Sequence, residues 1–128
     1  MSEPVRAALQ ELLSEVIGVN GALVSSVDGL LVAEATTGVE VDVVAALSAA
    51  TSSIGVQFAN VLGIGAATGM VIQASQGCAA VYPIGETAML VLYCLDSTHV
   101  ARLHLAVRQA MPRITEAMGL PATPGMSP

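Results

Sequence analysis

The stretch from Thr87 to Leu95, TAMLVLYCL, is apolar at almost every position. A strand with one face in water alternates apolar and polar residues, whereas a strand covered on both faces is a continuous apolar run. The stretch is also too short to cross a membrane as a helix, which takes about 20 residues. It therefore predicts a central strand in a sheet that has helices packed on both faces.

The composition fits one domain with a closely packed interior. Of the 128 residues, 54% are apolar but only 2% are aromatic, so Ala, Val, Leu and Ile must fill the core. A chain of this length buries roughly two thirds of its unfolded surface. We predict a single domain over residues 4–117 and a disordered tail over residues 118–128, which are rich in Pro and Gly.

The charges argue against nucleic acid and membranes as partners. Ten acidic residues outnumber four arginines, lysine is absent and the net charge is −6, whereas phosphate and anionic lipid binding depend on clustered basic residues. Residues 43–85 carry no charge, but polar residues and glycines interrupt this run, so we do not expect membrane insertion. A long uncharged segment indicates a covered surface, and a partner subunit is the simplest cover.

Apolar residues recur at intervals of three and four over 4–17, over 39–62 and after Asp96, which predicts three helices. Thr37 and Glu40 have the spacing of a capping box at the start of the second helix. Extended runs lie between the helices, and the most polar of them, GMVIQAS, has the composition of an edge strand. The predicted order is helix, two strands, long helix, three strands, helix.

The first two strands, ALVSSV and LLVAEA, are joined by Asp28-Gly29, a dipeptide that favours a tight hairpin turn. With a two-residue loop, Val27 faces Leu30, Ser25 faces Val32 and Leu23 faces Glu34.

The long helix presents two surfaces. Its larger stripe consists of Val43, Leu47, Ala50, Ile54, Phe58 and Leu62. A second, small-residue surface consists of Ala45, Ala49, Ser52, Ser53, Val56 and Asn60. Small side chains let another backbone come close, so we expect the second surface to form a subunit contact.

Signals for cofactors and metals are weak. Gly63, Gly65 and Gly69 follow a helix and precede a strand, which is the reverse of a phosphate-binding loop. His99 and His104 lie about 140° apart around a helix and are poorly placed to share one metal ion. We predict neither a cofactor nor a metal.

Signals for catalysis are equally weak. Asp96, Ser97 and His99 contain the residue types of a hydrolase triad, but their place at a helix start is better explained by capping. Cys78 and Cys94 lack metal-binding spacing and fit reduced core residues, with a cross-strand disulfide as the alternative. We predict a non-enzyme, and because the start shows no secretory signal we expect a cytoplasmic protein.

The segments ALVSSVDGLLVAEA, VDVVAALSAATSSIGVQFA and AAVYPIGETAMLVLYCLD, in this order, resemble the roadblock/dynein light chain family, in its bacterial branch of small-GTPase regulators. The resemblance covers about residues 4–117. It implies an α+β, roadblock/profilin-like fold with a five-stranded antiparallel sheet and the last strand in the middle. The long helix would lie on one face and the two terminal helices on the other.

The resemblance also implies a homodimer formed through the long helix and the third strand, and a Ras-like small GTPase as partner, whose nucleotide cycle or signalling the dimer modulates. We predict the dimer interface at Ala45, Ala49, Ser52, Ser53, Val56, Met70, Ile72, Gln73, Ala74 and Ser75. We predict partner binding at Thr51, Ser52, Ser53, Gln57 and Asn60. Two alternatives stay open: a scaffold subunit with a non-GTPase partner, and a small-ligand sensor with a pocket between helix and sheet.

Overall fold

The computed structural model describes residues 3–36, 38–95 and 100–120. The described elements are α1 (Glu3–Glu15), β1 (Gly21–Ser26), β2 (Leu31–Ala35), α2 (Val41–Leu62), β3 (Met70–Ala74), β4 (Gly77–Ile84), β5 (Ala88–Cys94) and α3 (Val100–Ala117). This order confirms the predicted succession of helices and strands.

The strands form one antiparallel sheet in the order β2-β1-β5-β4-β3. β5 lies in the middle and β3 at one edge, so both predictions are confirmed. The two faces of β5 explain its unbroken apolar sequence. Leu90 and Leu92 belong to the core on the side of α1 and α3, whereas Met89 and Val91 belong to the smaller core beneath α2.

The β1–β2 hairpin differs from its predicted register. Leu23 does pair with Glu34, but a bulge after Val24 places Ser25 opposite Leu31 rather than Val32. The N–H of Ser26 donates to the carbonyl of Leu30 at 2.8 Å, which closes a longer loop than the predicted two residues. A primed two-residue turn needs positive φ at both central positions. In the described chain only glycines have positive φ, so Asp28 does not adopt it and the predicted Val27–Leu30 pair is wrong.

The helix boundaries shift by a few residues from the prediction. α1 spans Glu3–Glu15 and not 4–17. α2 begins at Val41 rather than 39, and its N-cap is Glu40, which makes no side-chain capping bond, rather than the predicted Thr37. Thr37, Asp96, Ser97 and His99 lie outside the described residues.

Residues 118–120 form a turn that ends α3. The N–H of Met118 donates to the carbonyl of Ile114, and that of Leu120 to the carbonyl of Thr115, in a turn where Gly119 has φ 73°. Met118 and Leu120 also pack against the core. Residues 118–120 therefore continue the packing of α3, and residues 121–128 lie outside the described residues. The domain over 4–117 and the disordered tail over 118–128 stay predictions.

Candidate interaction surface

α2 rests on the sheet through its small residues. Its buried positions are Ala45, Ser48, Gly55 and Ala59. At Gly55 a Cβ atom would lie 2.4 Å from the Sδ atom of Met70, so glycine lets strand β3 approach the helix closely. The sheet beneath α2 contributes larger side chains, among them Leu23, Met89 and Val91. Small residues on the helix therefore fit large residues on the sheet.

The opposite side of α2 carries large apolar side chains that point into solvent. They are 50–86% exposed: Val43, Leu47, Ile54, Phe58 and Val61. At about 100° per residue these side chains fall within an arc of roughly 60°. We call these five residues the α2 outer face. A contiguous exposed apolar surface of this kind marks an interaction site.

The residues of the long helix that we predicted for the dimer interface have different surroundings within the single chain. Ala45 is 0% exposed, because it lies on the side of α2 that packs against the sheet of the same chain. Ala49 is half-buried and lies near Gly29 of the β1–β2 hairpin. The backbone that approaches the small residues belongs to the same chain. Ser52 is half-buried, and Ser53 and Val56 are exposed at the margins of this packing.

The edge strand β3 lies beside the C-terminal half of α2. Among the described strands it pairs with β4 alone, so none of them covers the backbone groups of its outer edge. Met70 is half-buried, Ile72 is 51% exposed, and Gln73 and Ala74 are exposed. Ser75, which we predicted with this strand, lies in the turn that follows it. An open edge of this kind is a template for strand addition.

The predicted partner-binding residues divide into two groups. Ser53, Gln57 and Asn60 are exposed and lie within about 60° of one another around the helix, next to the α2 outer face. Thr51 and Ser52 are half-buried and more than 100° away from Gln57. The five residues therefore do not form one surface.

Sequence reasoning missed the α2 outer face as an interaction site, although it identified the stripe. The signal was the presence of a large apolar stripe and a separate small-residue surface on one helix. A single sheet can cover only one of them, so the second must either face a partner or remain in water.

One cavity lies between α2 and the β3–β4 edge. It encloses about 40 Å³ and is lined by Ser52, Val56, Ala67, Gly69, Met70, Val81 and Pro83. Sites for drug-sized ligands measure about 300–1,000 Å³. The cavity can seat part of one side chain but is too small for a metabolite.

The described arginine–carboxylate contacts lie on α1 and α3, away from the α2 outer face. Arg113 of α3 donates hydrogen bonds to the carboxylates of Glu11 and Glu15 on α1, on the other side of the sheet. The hydrogen bond from Arg113 lowers the pKa of Glu15 below its usual range. Arg102 and Arg108 are exposed, also on α3. In the described ranges no group of three or more His, Cys, Asp or Glu side chains is placed to hold a metal ion.

α2 is long and apolar enough to cross a membrane, judged by length and composition alone. One side of the helix packs on the sheet, but only 17% of its apolar window is buried in the domain. The α2 outer face accounts for much of the apolar surface that stays exposed.

Comparison with known proteins gives the family. The family model of the Roadblock/LC7 domain matches residues 6–93. No curated protein sequence is significantly similar to the chain. Among solved structures, MglB of Myxococcus xanthus has a TM-score of 0.80 at 14% identity, with 91% of this chain and 96% of that chain covered. The gliding protein MglB of Thermus thermophilus has a TM-score of 0.79 at 24% identity, covering 91% and 89%.

A profilin is a more distant structural match. Profilin II of Acanthamoeba castellanii has a TM-score of 0.63 at 11% identity, with 87% of this chain and 97% of that chain covered. At these identities the structural matches show the fold, and they confirm the predicted α+β, roadblock/profilin-like architecture. The family match covers most of the described domain, from α1 into β5. The chain therefore belongs to the Roadblock/LC7 family.

Proposed function

We propose that two copies of the chain form a homodimer, and that the dimer binds a Ras-like small GTPase and modulates its nucleotide cycle or signalling. One observation carries the proposal: the α2 outer face is a charge-free apolar surface that lies in the same region as an open strand edge. Membership of the Roadblock/LC7 family supports a regulatory role of this class. A cytoplasmic location follows from such a partner.

The α2 outer face and the outer edge of β3 both favour contact with a second copy of the chain. Burial of the exposed side chains on the α2 outer face lowers the free energy by about 25 cal/mol per Å² of apolar surface. The outer edge of β3 offers backbone donors and acceptors to a second strand. A two-fold contact satisfies both needs at once, because the same residues face each other across the axis. Residues 43–85 contain no charge that would have to be desolvated on association.

The GTPase surface follows from what remains exposed around the dimer contact. Ser53, Gln57 and Asn60 form a polar strip beside the α2 outer face, and a pair of such strips gives a broad uncharged surface. The alternative is that these residues line the dimer seam. The two assignments differ in whether Gln57 touches a second copy of the chain or the GTPase.

The mode of action is limited by the position of the arginines. The chain has no Arg or Lys between Glu11 and Asp96, so the α2 side cannot supply an arginine finger to a bound GTPase. Stimulation of hydrolysis by that side would have to act on catalytic groups of the GTPase itself.

The scaffold and the small-ligand sensor, the two alternative functions, differ in what they require of the structure. A scaffold subunit with a non-GTPase partner would use the same surfaces, and only the identity of the partner separates it from the proposal. A small-ligand sensor needs more room than the 40 Å³ cavity provides between α2 and the sheet.

The dimer is tested with a matched pair of variants. Ile54→Arg places a charge on the α2 outer face, where 51% of the wild-type side chain is exposed, and Leu105→Arg does the same on α3, where 56% is exposed. We expect light scattering at micromolar concentration to show a dimer for the wild type and for Leu105→Arg, and a monomer for Ile54→Arg. A monomeric wild type would refute the dimer.

The GTPase is tested on protein already shown to be dimeric. The probe is a Ras-like GTPase from the source organism, loaded with GDP or with a non-hydrolysable GTP analogue and titrated calorimetrically. We expect Gln57→Glu to weaken binding while the dimer persists. Failure of every such GTPase to bind would refute the regulatory role and leave the scaffold. Unchanged affinity for Gln57→Glu, with loss on Arg102→Ala, would move the site to the α3 face.

A further inference from the structure

Two cysteines face each other across the β4–β5 strand pair. Cys78 and Cys94 are direct partners in the antiparallel register, and both are thiols. Directly opposed residues in such a pair point to the same face, with Cβ atoms about 4.5–5.5 Å apart. A disulfide joins Cβ atoms about 3.5–4.5 Å apart. A small local movement of the two strands therefore suffices to bring the sulfur atoms to bonding distance.

The packing around the pair holds the strands together at this point. Both side chains pack in the core on the side of α1 and α3. Gly77, next to Cys78, lies so close to β5 that a Cβ atom there would be 2.2 Å from the carbonyl oxygen of Cys94. The backbone contact at Gly77 keeps the two cysteine positions in register.

The two thiols differ in access to solvent. Cys78 is half-buried, at the start of β4, whereas Cys94 is buried. A reagent in solution therefore reaches Cys78 first. Cys94 lies beside it on the neighbouring strand, in the position of a resolving thiol that displaces the reagent.

We propose that Cys78 and Cys94 are an oxidation site that forms a reversible intrachain disulfide with a low-molecular-weight disulfide as oxidant. The Cys78 thiolate attacks one sulfur of the oxidant, which forms a mixed disulfide and releases one thiolate. The Cys94 thiol then loses its proton and attacks the Cys78 sulfur, which releases the second thiolate. Two protein thiols give up two electrons and two protons, and the oxidant becomes two thiols.

This site is independent of the proposed function, because it lies within β4 and β5 and needs neither a dimer nor a GTPase. Its position is one strand away from the open edge, since Gln73 of β3 pairs with Cys78.

The experiment treats the folded protein with oxidised glutathione and measures its intact mass. We expect a product lighter by two hydrogen atoms that carries no glutathione, runs as a single chain on a non-reducing denaturing gel, and regains its mass with dithiothreitol. Two outcomes overturn the proposal. One is a product that keeps glutathione on Cys78, and the other is a disulfide between two chains.

Two variants check the order of the steps. In Cys94→Ala the resolving thiol is absent, so the reaction should stop at the glutathione adduct on Cys78. In Cys78→Ala the remaining thiol is buried, and we expect at least a tenfold slower reaction than for Cys94→Ala at equal reagent. The wild-type mass measurement stands even where a variant fails to fold. Equal rates for the two variants would contradict the assigned order of attack.

Discussion

At the scale of single residues, Ser25 carries a buried hydroxyl whose loss of hydration is not offset by a hydrogen bond to any described residue. It is fully buried on β1, and its Oγ atom has no hydrogen-bond partner among the described residues. An unsatisfied buried polar group costs about 1–3 kcal/mol. We expect Ser25→Ala to raise the free energy of unfolding by about 1 kcal/mol in urea melts.

Ser48 provides the control for Ser25. It is also buried, but its hydroxyl donates to the carbonyl of Val44 at 2.7 Å. We expect Ser48→Ala to be neutral or mildly destabilising. If Ser25→Ala instead lowered the free energy of unfolding by more than about 1 kcal/mol, the Ser25 hydroxyl would have to make an interaction that stabilises the fold.

Tyr82 makes the stability depend on pH at the alkaline end. Burial raises the pKa of Tyr82 to about 12, and its hydroxyl lies 3.0 Å from Nδ1 of His104. An unfolded tyrosine ionises near pH 10. Between the two values the unfolded chain binds fewer protons than the folded one, so stability is complete below about pH 10 and falls as the pH rises toward 12.

Tyr82→Phe tests this dependence. At neutral pH the variant should lose about 0.5–1.5 kcal/mol with the hydrogen bond to His104. Above about pH 10 its unfolding free energy should fall less steeply than that of the wild type. Chemical denaturation at a series of pH values measures both effects. Parallel pH profiles for the two proteins would show that Tyr82 is not the group responsible.

At the scale of elements, the contact of α2 with β3 depends on Gly55. A branched side chain at this position meets the Sδ and Cγ atoms of Met70. We expect Gly55→Val to cost about 1–3 kcal/mol through overpacking. In a Met70→Ala background the cost should shrink, because the obstructing side chain is gone. Melts of the four proteins form a double-mutant cycle, and an equal cost in both backgrounds would exclude the contact.

The elements also show which features the sequence encodes locally. The place of β5 was predictable, because an apolar run on both alternating faces reports two covering layers. Five strands and three helices followed from periodicity and turn residues in the same way. The predicted hairpin register was wrong because a bulge after Val24 shifts the pairing that follows it. No residue in ALVSSV indicates this bulge.

The sequence alone did not show which surface of α2 packs on the sheet, because that choice depends on packing between elements. Periodicity identifies two stripes on the helix but does not state which one the sheet accepts. The choice depends on the sheet face, where large residues such as Met89 and Leu23 leave room only for small partners. Ala45, which we predicted for the dimer interface, is buried against the sheet in the single chain, whereas Phe58, which we did not include, is exposed.

At the scale of the whole molecule, the charges and the apolar surface are segregated. The net charge is −6, whereas residues 43–85, which contain β3 and nearly all of α2, have none. The proposed dimer therefore brings two negatively charged bodies together through an uncharged contact. The Debye length falls from about 10 Å at 0.1 M salt to about 3 Å at 1 M, which screens the repulsion between the bodies.

We therefore expect the dimer to tighten modestly as salt rises, since screening removes repulsion and no ion pair in the contact is weakened. Sedimentation equilibrium across this range of sodium chloride gives the dissociation constant directly. The Leu105→Arg variant serves as a control, because its added positive charge changes the net charge from −6 to about −5. The weaker repulsion should reduce the salt dependence. A dimer that dissociates as salt rises would require ion pairs across the interface. Such a contact would have to lie outside the α2 outer face and β3, on the charged surface of α1 and α3.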